Sequence, residues 1–163
     1  MLTQKQGRNL TNTKNRQSRK AKYCVGIDPP SGLAIWDRES QKFDAIKTVD
    51  FWKIIKTIQN YVDSSIFYIE APQKNKPVWT KSKQTIIDKL PIYLKIAQNV
   101  GMNKMCAILI EQYCNSIGAS YHLVRPGKKT MSKIKSEDFI QITGWEKKTS
   151  EHGRDAAMLV WGL

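Results

Sequence analysis

The sequence predicts a single α/β domain built on a mixed sheet of five strands flanked by helices. Short apolar runs bounded by turn residues recur at Tyr23 to Asp28, Leu33 to Trp36, Phe43 to Val49, Ile66 to Glu70 and Tyr121 to Val124, which is the patterning of strands. Between and after them apolar residues return every three or four positions, the period of helices packed on one side. Three strands arriving together and then alternating with helices describe a mixed sheet in an α/β architecture.

The elements follow in order. Tyr23-Cys24-Val25-Gly26-Ile27-Asp28 runs into Pro29-Pro30-Ser31-Gly32, a strong turn signal, and Leu33-Ala34-Ile35-Trp36 resumes the extended pattern as the second arm of a hairpin. The polar turn Arg38-Glu39-Ser40-Gln41 leads into the third strand. Asp50 stands before Phe51, Trp52, Ile54, Ile55, Ile58, Tyr61 and Val62, whose spacing is helical, and reads as an N-cap. Ile66-Phe67-Tyr68-Ile69-Glu70 is apolar enough to lie centrally in a sheet. After a loop from Ala71 to about Ser82, the residues Leu94, Ala97, Gly101, Met105, Ile108, Leu109, Tyr113 and Ile117 mark a long helix that stops near Gly118. Arg125-Pro126-Gly127 ends the fifth strand, and helices over Lys133 to Ile142 and from Ser150 to the C-terminus close the domain.

The residues before Tyr23 stand apart. Met1 to Lys22 carry Lys5, Arg8, Lys14, Arg16, Arg19, Lys20 and Lys22, no acid, and only Met1, Leu2, Leu10 and Ala21 as apolar groups. So little apolar surface does not offset the entropy of ordering a chain. Residues 1–22 are therefore expected to form a disordered basic arm that adds phosphate contacts, or else a solvated terminus, with 23–163 as the folded domain. Asn, Gln and Thr content and the lack of an apolar face set the arm apart from a mitochondrial presequence.

Composition narrows the function. The 163 residues, 40% hydrophobic, suffice for one domain with a real core, and the net charge of +13 points to a polyanionic partner, nucleic acid before membrane. No apolar run approaches the roughly 18 residues of a membrane span and no secretory pattern is present, so a cytoplasmic location is expected. Richness in Lys, Asn and Ile suits an AT-rich genome, bacterial or phage. Cys24, Cys106 and Cys114 lie inside apolar patterns and read as buried thiols. With only His122 and His152 and no paired cysteines, no structural zinc site is expected. Gly127-Lys128-Lys129-Thr130 lacks the upstream glycine of a P-loop, so no nucleotide cofactor is expected either.

The chemistry lies in the acids. Asp28 and Glu70 each end a strand, and Asp155 arrives in Glu151-His152-Gly153-Arg154-Asp155-Ala156-Ala157. Taken alone, each strand-end acid also reads as a turn residue, and Asp155 as an acid favoured near a helix N-terminus. A charged acid directly after a buried strand costs several kcal/mol unless it finds a cation, and two such acids ask for a common one. If the first and fourth strands are neighbours, Asp28 and Glu70 face one another and the last helix delivers Asp155 beside them. His152, three residues before Asp155, shares its helix face and reads as a metal ligand, a water-positioning group or a polar residue meeting solvent.

Several pieces together resemble the ribonuclease H-like superfamily, and within it the RuvC-type Holliday-junction resolvases. Gly26-Ile27-Asp28-Pro29 followed by Gly32-Leu33-Ala34-Ile35-Trp36 is similar to the family's first hairpin, and Ile69-Glu70 to its fourth strand. Ala97-Gln98-Asn99-Val100-Gly101 resembles a step of its long helix, and His152-Gly153-Arg154-Asp155-Ala156-Ala157 its closing helix. The ordered set spans Tyr23 to Leu163. Some resolvases of this type have another acid where this chain has His152, and others have His.

The resemblance implies a ribonuclease H-like fold and an endonuclease that resolves four-way junctions or related branched DNA. Two Mg²⁺ or Mn²⁺ ions roughly 3.5 to 4 Å apart would activate water, neutralise the phosphate and stabilise the leaving alkoxide. Asp28 is assigned as the bridging ligand, Glu70 and Asp155 as ligands of one ion each, with His152 beside them. Arg125, Lys128, Lys129, Lys133 and Lys135 cluster where the family places DNA-contacting lysines, and Lys74 and Lys76 are further phosphate contacts. Trp79 reads either as a wedge stacking on an unpaired base or as a packing residue; the family's aromatic wedge falls nearer its second acid, where this chain has Gln73. Symmetric cutting of a junction implies a homodimer, which the family builds through its long helix. The alternatives are cleavage of RNA in RNA/DNA hybrids and a non-catalytic nucleic-acid-binding module.

Overall fold

The computed structural model describes residues 21–75, 90–126 and 134–163. Tyr23–Asp28 forms β1, Gly32–Asp37 β2, Lys42–Thr48 β3, Ser65–Glu70 β4 and Tyr121–Val124 β5. The helices are α1 (Phe51–Tyr61), α2 (Leu90–Ser116), α3 (Ser136–Thr143) and α4 (Glu151–Met158), with a short 3₁₀ turn at Pro72–Lys74. The arm over residues 1–20, and with it Lys76, Trp79, Lys128, Lys129 and Lys133, lies outside the described residues.

The strands join one mixed sheet in the order β3-β2-β1-β4-β5. β1 to β3 pair antiparallel, with Asp28 opposite Gly32 and Gly32 opposite Thr48, while β1, β4 and β5 run parallel with Ile27 opposite Ile69 and Glu70 opposite Val124. Asp28, Glu70 and Val124 at strand ends, Gly32 at a strand start and Thr48 at a strand end therefore stand along one edge of the sheet. The condition for bringing Asp28 and Glu70 together, adjacency of the first and fourth strands, is met.

Alternation along each strand divides the side chains between two layers. Val25, Ile27, Leu33, Ile35, Phe67 and Ile69 face one side and pack with Ile54 and Ile58 of α1 and Ile110 and Cys114 of α2. Cys24, Ala34, Trp36, Phe43 and Ile46 face the other, closed by Phe139 of α3 and by Ala156, Ala157 and Val160 at α4. Asp28 and Glu70 share the parity of the second set, so they belong to the α4 side.

Local signals set the helix ends. The Asp50 side chain accepts from Lys53 N at 2.9 Å and starts α1 as an N-cap, and Ser150 caps α4 by accepting from Gly153 N at 3.0 Å. After α2, Gly118 takes φ +69°, the left-handed stop that glycine adopts without a Cβ penalty.

The structure adds detail to two helices and corrects the extent of a third. In α2 the buried residues are Ala107, Ile110 and Cys114, whereas Leu94, Met105 and Leu109, which mark the helix in the sequence, and Ile117 just beyond it are exposed. Large apolar side chains surround this helix on several faces, so a three-to-four spacing exists on the outer side as well as the inner. Trp52, one of the apolar residues that mark α1 in the sequence, is 75% exposed. The last helix ends at Met158, and the chain then turns so that the Leu163 carbonyl accepts from Trp36 Nε1 at 3.1 Å. The thiols of Cys24, Cys106 and Cys114 are free, and among the described residues no helix is long and apolar enough to cross a membrane.

Candidate functional site

Two glycines let α4 lie against the sheet. A Cβ on Gly26 would stand 2.0 Å from the Ala156 carbonyl oxygen, and one on Gly32 would stand 2.1 Å from that of His152. Helix backbone thus approaches strand backbone where any other residue would hold it off. Ala156 and Ala157, both fully buried, complete the seam. At the N-terminus of α4, the Ser150 hydroxyl meets that of Thr48 at the end of β3, which ties the helix start to the same sheet edge.

This close seating brings the first turn of α4 to the end of β1. Asp28 is only 4% exposed, and its Oδ2 lies 2.7 Å from His152 Nδ1. With Asp28 ionised, the Nδ1 proton donates to it. Glu70, on the adjacent strand, is half-buried, and the Asp28 and Glu70 side chains act on each other by hydrogen bonding.

The electrostatics of Asp28 and Glu70 are linked. Burial pushes Glu70 up to about 8, helped by the hydrogen bond to Asp28 and by the charges of Asp28 and Asp155, against a smaller opposing effect of His152. Burial also raises Asp28 to about 6; the bond from Glu70 works against the rise, and the charges of Asp155 and Glu151 add to it. The pair titrates together, as two carboxyls in one partly dry site must.

Asp28 is thus brought to Glu70 and His152, and the charge of Asp155 acts on both carboxyls. The charge of Glu151 also acts on Asp28, and sequence reasoning passed over this residue because an acid in a first helical turn is favoured by the helix dipole alone. Its position directly before His152 was the available signal. Among the described residues no three His, Cys, Asp or Glu groups already stand in the arrangement of a metal cluster. With both pushed above the usual carboxylate range, Asp28 and Glu70 are disposed to hold a proton between them at neutral pH.

Along the same edge, Lys74 Nζ donates to the Leu123 carbonyl at 3.2 Å and Arg125 Nε donates to Asn75 Oδ1 at 3.2 Å. Both basic residues are exposed and flank the ends of β4 and β5. Gln73 lies in the 3₁₀ turn after Glu70, with both amide atoms buried and without a hydrogen-bond partner.

Comparison of the chain with protein-family models, with curated proteins and with solved structures finds no match in any of the three.

Proposed function

We propose that the chain is a metal-dependent endonuclease of ribonuclease H-like fold that cuts four-way junctions or related branched DNA. The observation that carries this reading is the Asp28–Glu70 carboxyl pair at neighbouring strand ends, Asp28 buried and Glu70 half-buried, with His152 of α4 on Asp28 and the charges of Asp155 and Glu151 acting on it. The net charge of +13 and the placement of Lys74 and Arg125 beside Glu70 support a phosphodiester substrate.

The donor set fits hard divalent cations. Carboxylate oxygens suit Mg²⁺ or Mn²⁺, and a site that drives its own acids toward the protonated form lacks positive charge. Asp28, Glu70 and Asp155 would hold two ions, with His152 and Glu151 adjoining. Bound ions supply charge neutralisation at the phosphate and an acidified water. The chain's own residues do the rest: Asp28 and Glu70 release the shared proton, His152 fixes the Asp28 carboxylate through Nδ1, and Lys74 and Arg125 hold the phosphate backbone.

Cutting a junction in two strands calls for two sites related by symmetry. The exposed Leu90, Ile92, Leu94, Met102 and Met105 of α2 support a homodimer formed through that helix. Such an enzyme would work in the cytoplasm of a bacterium or of a phage-infected cell.

Incubation of wild type and Asp28→Asn with Mg²⁺ and labelled four-way junction, linear duplex and RNA/DNA hybrid tests the reading. Paired nicks across the junction, lost in Asp28→Asn, are expected. Cleavage of hybrid alone would redirect the assignment to RNA, and metal-indifferent binding without cleavage would leave a binding module.

A further inference from the structure

The exposed tryptophan on α1 has no task in the site as described. Trp52 is 75% exposed in the first turn of α1, although a tryptophan side chain offers some of the largest apolar area of any residue. Its ring meets that of Phe51 edge-on at 5.5 Å between centroids, and Phe51 packs against the core, so the indole is backed without being covered.

The surroundings are basic and polar. Lys56, one turn on, lies on the face of Trp52, and Lys53, Gln59 and Asn60 are also exposed. α1 itself contains no acid, and the neighbouring Asp50 is engaged by Lys53, whose Nζ lies 3.2 Å from it. The place is as telling as the composition. Only Val49 and Asp50 separate β3 from α1, and Thr48 at the end of β3 pairs with Gly32, which pairs with Asp28. Two strand spacings put Thr48 about 10 Å from Asp28. Val49 N also donates to the Ser31 carbonyl at 2.9 Å, which ties the entry to α1 to the turn that follows Asp28.

We propose that Trp52, with Lys56, is a stacking platform for an unpaired base of a DNA strand that runs past the carboxyl site around the β1–β2 turn. The inference rests on the nucleic-acid reading above and extends it with a second contact on the α1 side of the sheet. An aromatic face interleaved with lysines is how single strands are held without sequence preference: the indole takes a base, and the ammonium group takes a flanking phosphate. A duplex offers no exposed base face, so the platform distinguishes unpaired from paired DNA.

Full-length wild type, Trp52→Ala, Trp52→Phe and Lys56→Ala are compared by fluorescence anisotropy on oligothymidylate and on linear duplex, in EDTA so that no strand is cut. Trp52→Ala is expected to weaken oligothymidylate binding roughly 5- to 150-fold and to leave duplex binding and the melting temperature unchanged, with Trp52→Phe keeping most of the affinity. Lys56→Ala is expected to lower the salt dependence on the single strand by about 0.7 in log–log slope. Equal oligothymidylate affinity for Trp52→Ala and wild type overturns the platform while leaving the carboxyl site standing. Equal loss on single strand and duplex assigns Trp52 a general or structural role and also overturns it. If wild type binds neither probe, the nucleic-acid reading and the platform fall together.

Discussion

The two faces of the sheet are built on opposite principles. On the side of α1 and α2, Val25, Ile27, Phe67 and Ile69 meet Ile54, Ile58 and Ile110 in a closed aliphatic layer. On the side of α4, Gly26, Gly32, Ala156 and Ala157 replace bulk with backbone proximity, and the Asp28 carboxyl is buried there with Glu70 half-buried beside it. The same strands supply both, residue by alternate residue. One face holds the domain together, and the other spends part of that stability to hold Asp28 and Glu70 in a place where charge is unfavourable.

Substitutions on the two faces should therefore fail differently. Gly26→Ala must displace α4, because its Cβ would meet backbone at Ala156. A loss of about 3 kcal/mol in denaturant unfolding is expected, together with a fall in cleavage of about 100-fold in the folded protein as His152 and Asp155 move off Asp28. Ile58→Ala, in the opposite layer, should also cost about 3 kcal/mol by leaving a cavity. Its folded fraction should cleave at the wild-type rate, since no residue of the site leans on α1. Equal cleavage defects in the two variants would erase the distinction between the faces.

A smaller effect separates the faces by pH. Asp28 and Glu70 are raised to about 6 and about 8 from their ordinary 3.8 and 4.5, so between these limits the folded state binds more protons than the unfolded one. Metal-free stability should then fall as pH rises from about 4 to about 8 and change little above. Glu70→Gln, which keeps a donor for Asp28, should melt higher than wild type at pH 8.5 and at the same temperature at pH 4. A wild-type profile unaltered by the substitution contradicts the shared proton. The smallest effect is at the cap: Ser150→Ala should cost about 1 kcal/mol in unfolding and blunt cleavage only modestly.

Much of this was legible in the residues, and the exceptions have physical causes. Strand alternation, the Pro29-Pro30-Ser31-Gly32 turn and the Asp50 cap announce themselves through local chemistry, and the elements fall where those signals put them. Asp28 and Glu70 could be singled out because an acid directly after an apolar strand conflicts with its surroundings. What local pattern cannot convey is which surface of an apolar helix faces inward. α2 carries Leu, Ile and Met on its outer side too, and only the packing of Ala107, Ile110 and Cys114 decides the matter. The exposure of Trp52 was not legible for the same reason, since spacing identifies a face and not its burial. Gly26 and Gly32 read as parts of a motif, but their purpose, the approach of the α4 backbone, is a tertiary fact.

The central claim is that the shared proton between Asp28 and Glu70 occupies the place of a divalent cation. Calorimetric titration of the metal-free protein with Mn²⁺ at pH 7, in two buffers of different ionisation enthalpy, tests it directly. With Glu70 near 8, binding should release about one proton per chain, and both the binding and the release should be lost in Asp28→Asn. Mn²⁺ binding that releases no proton, or that persists unchanged in Asp28→Asn, would contradict the account.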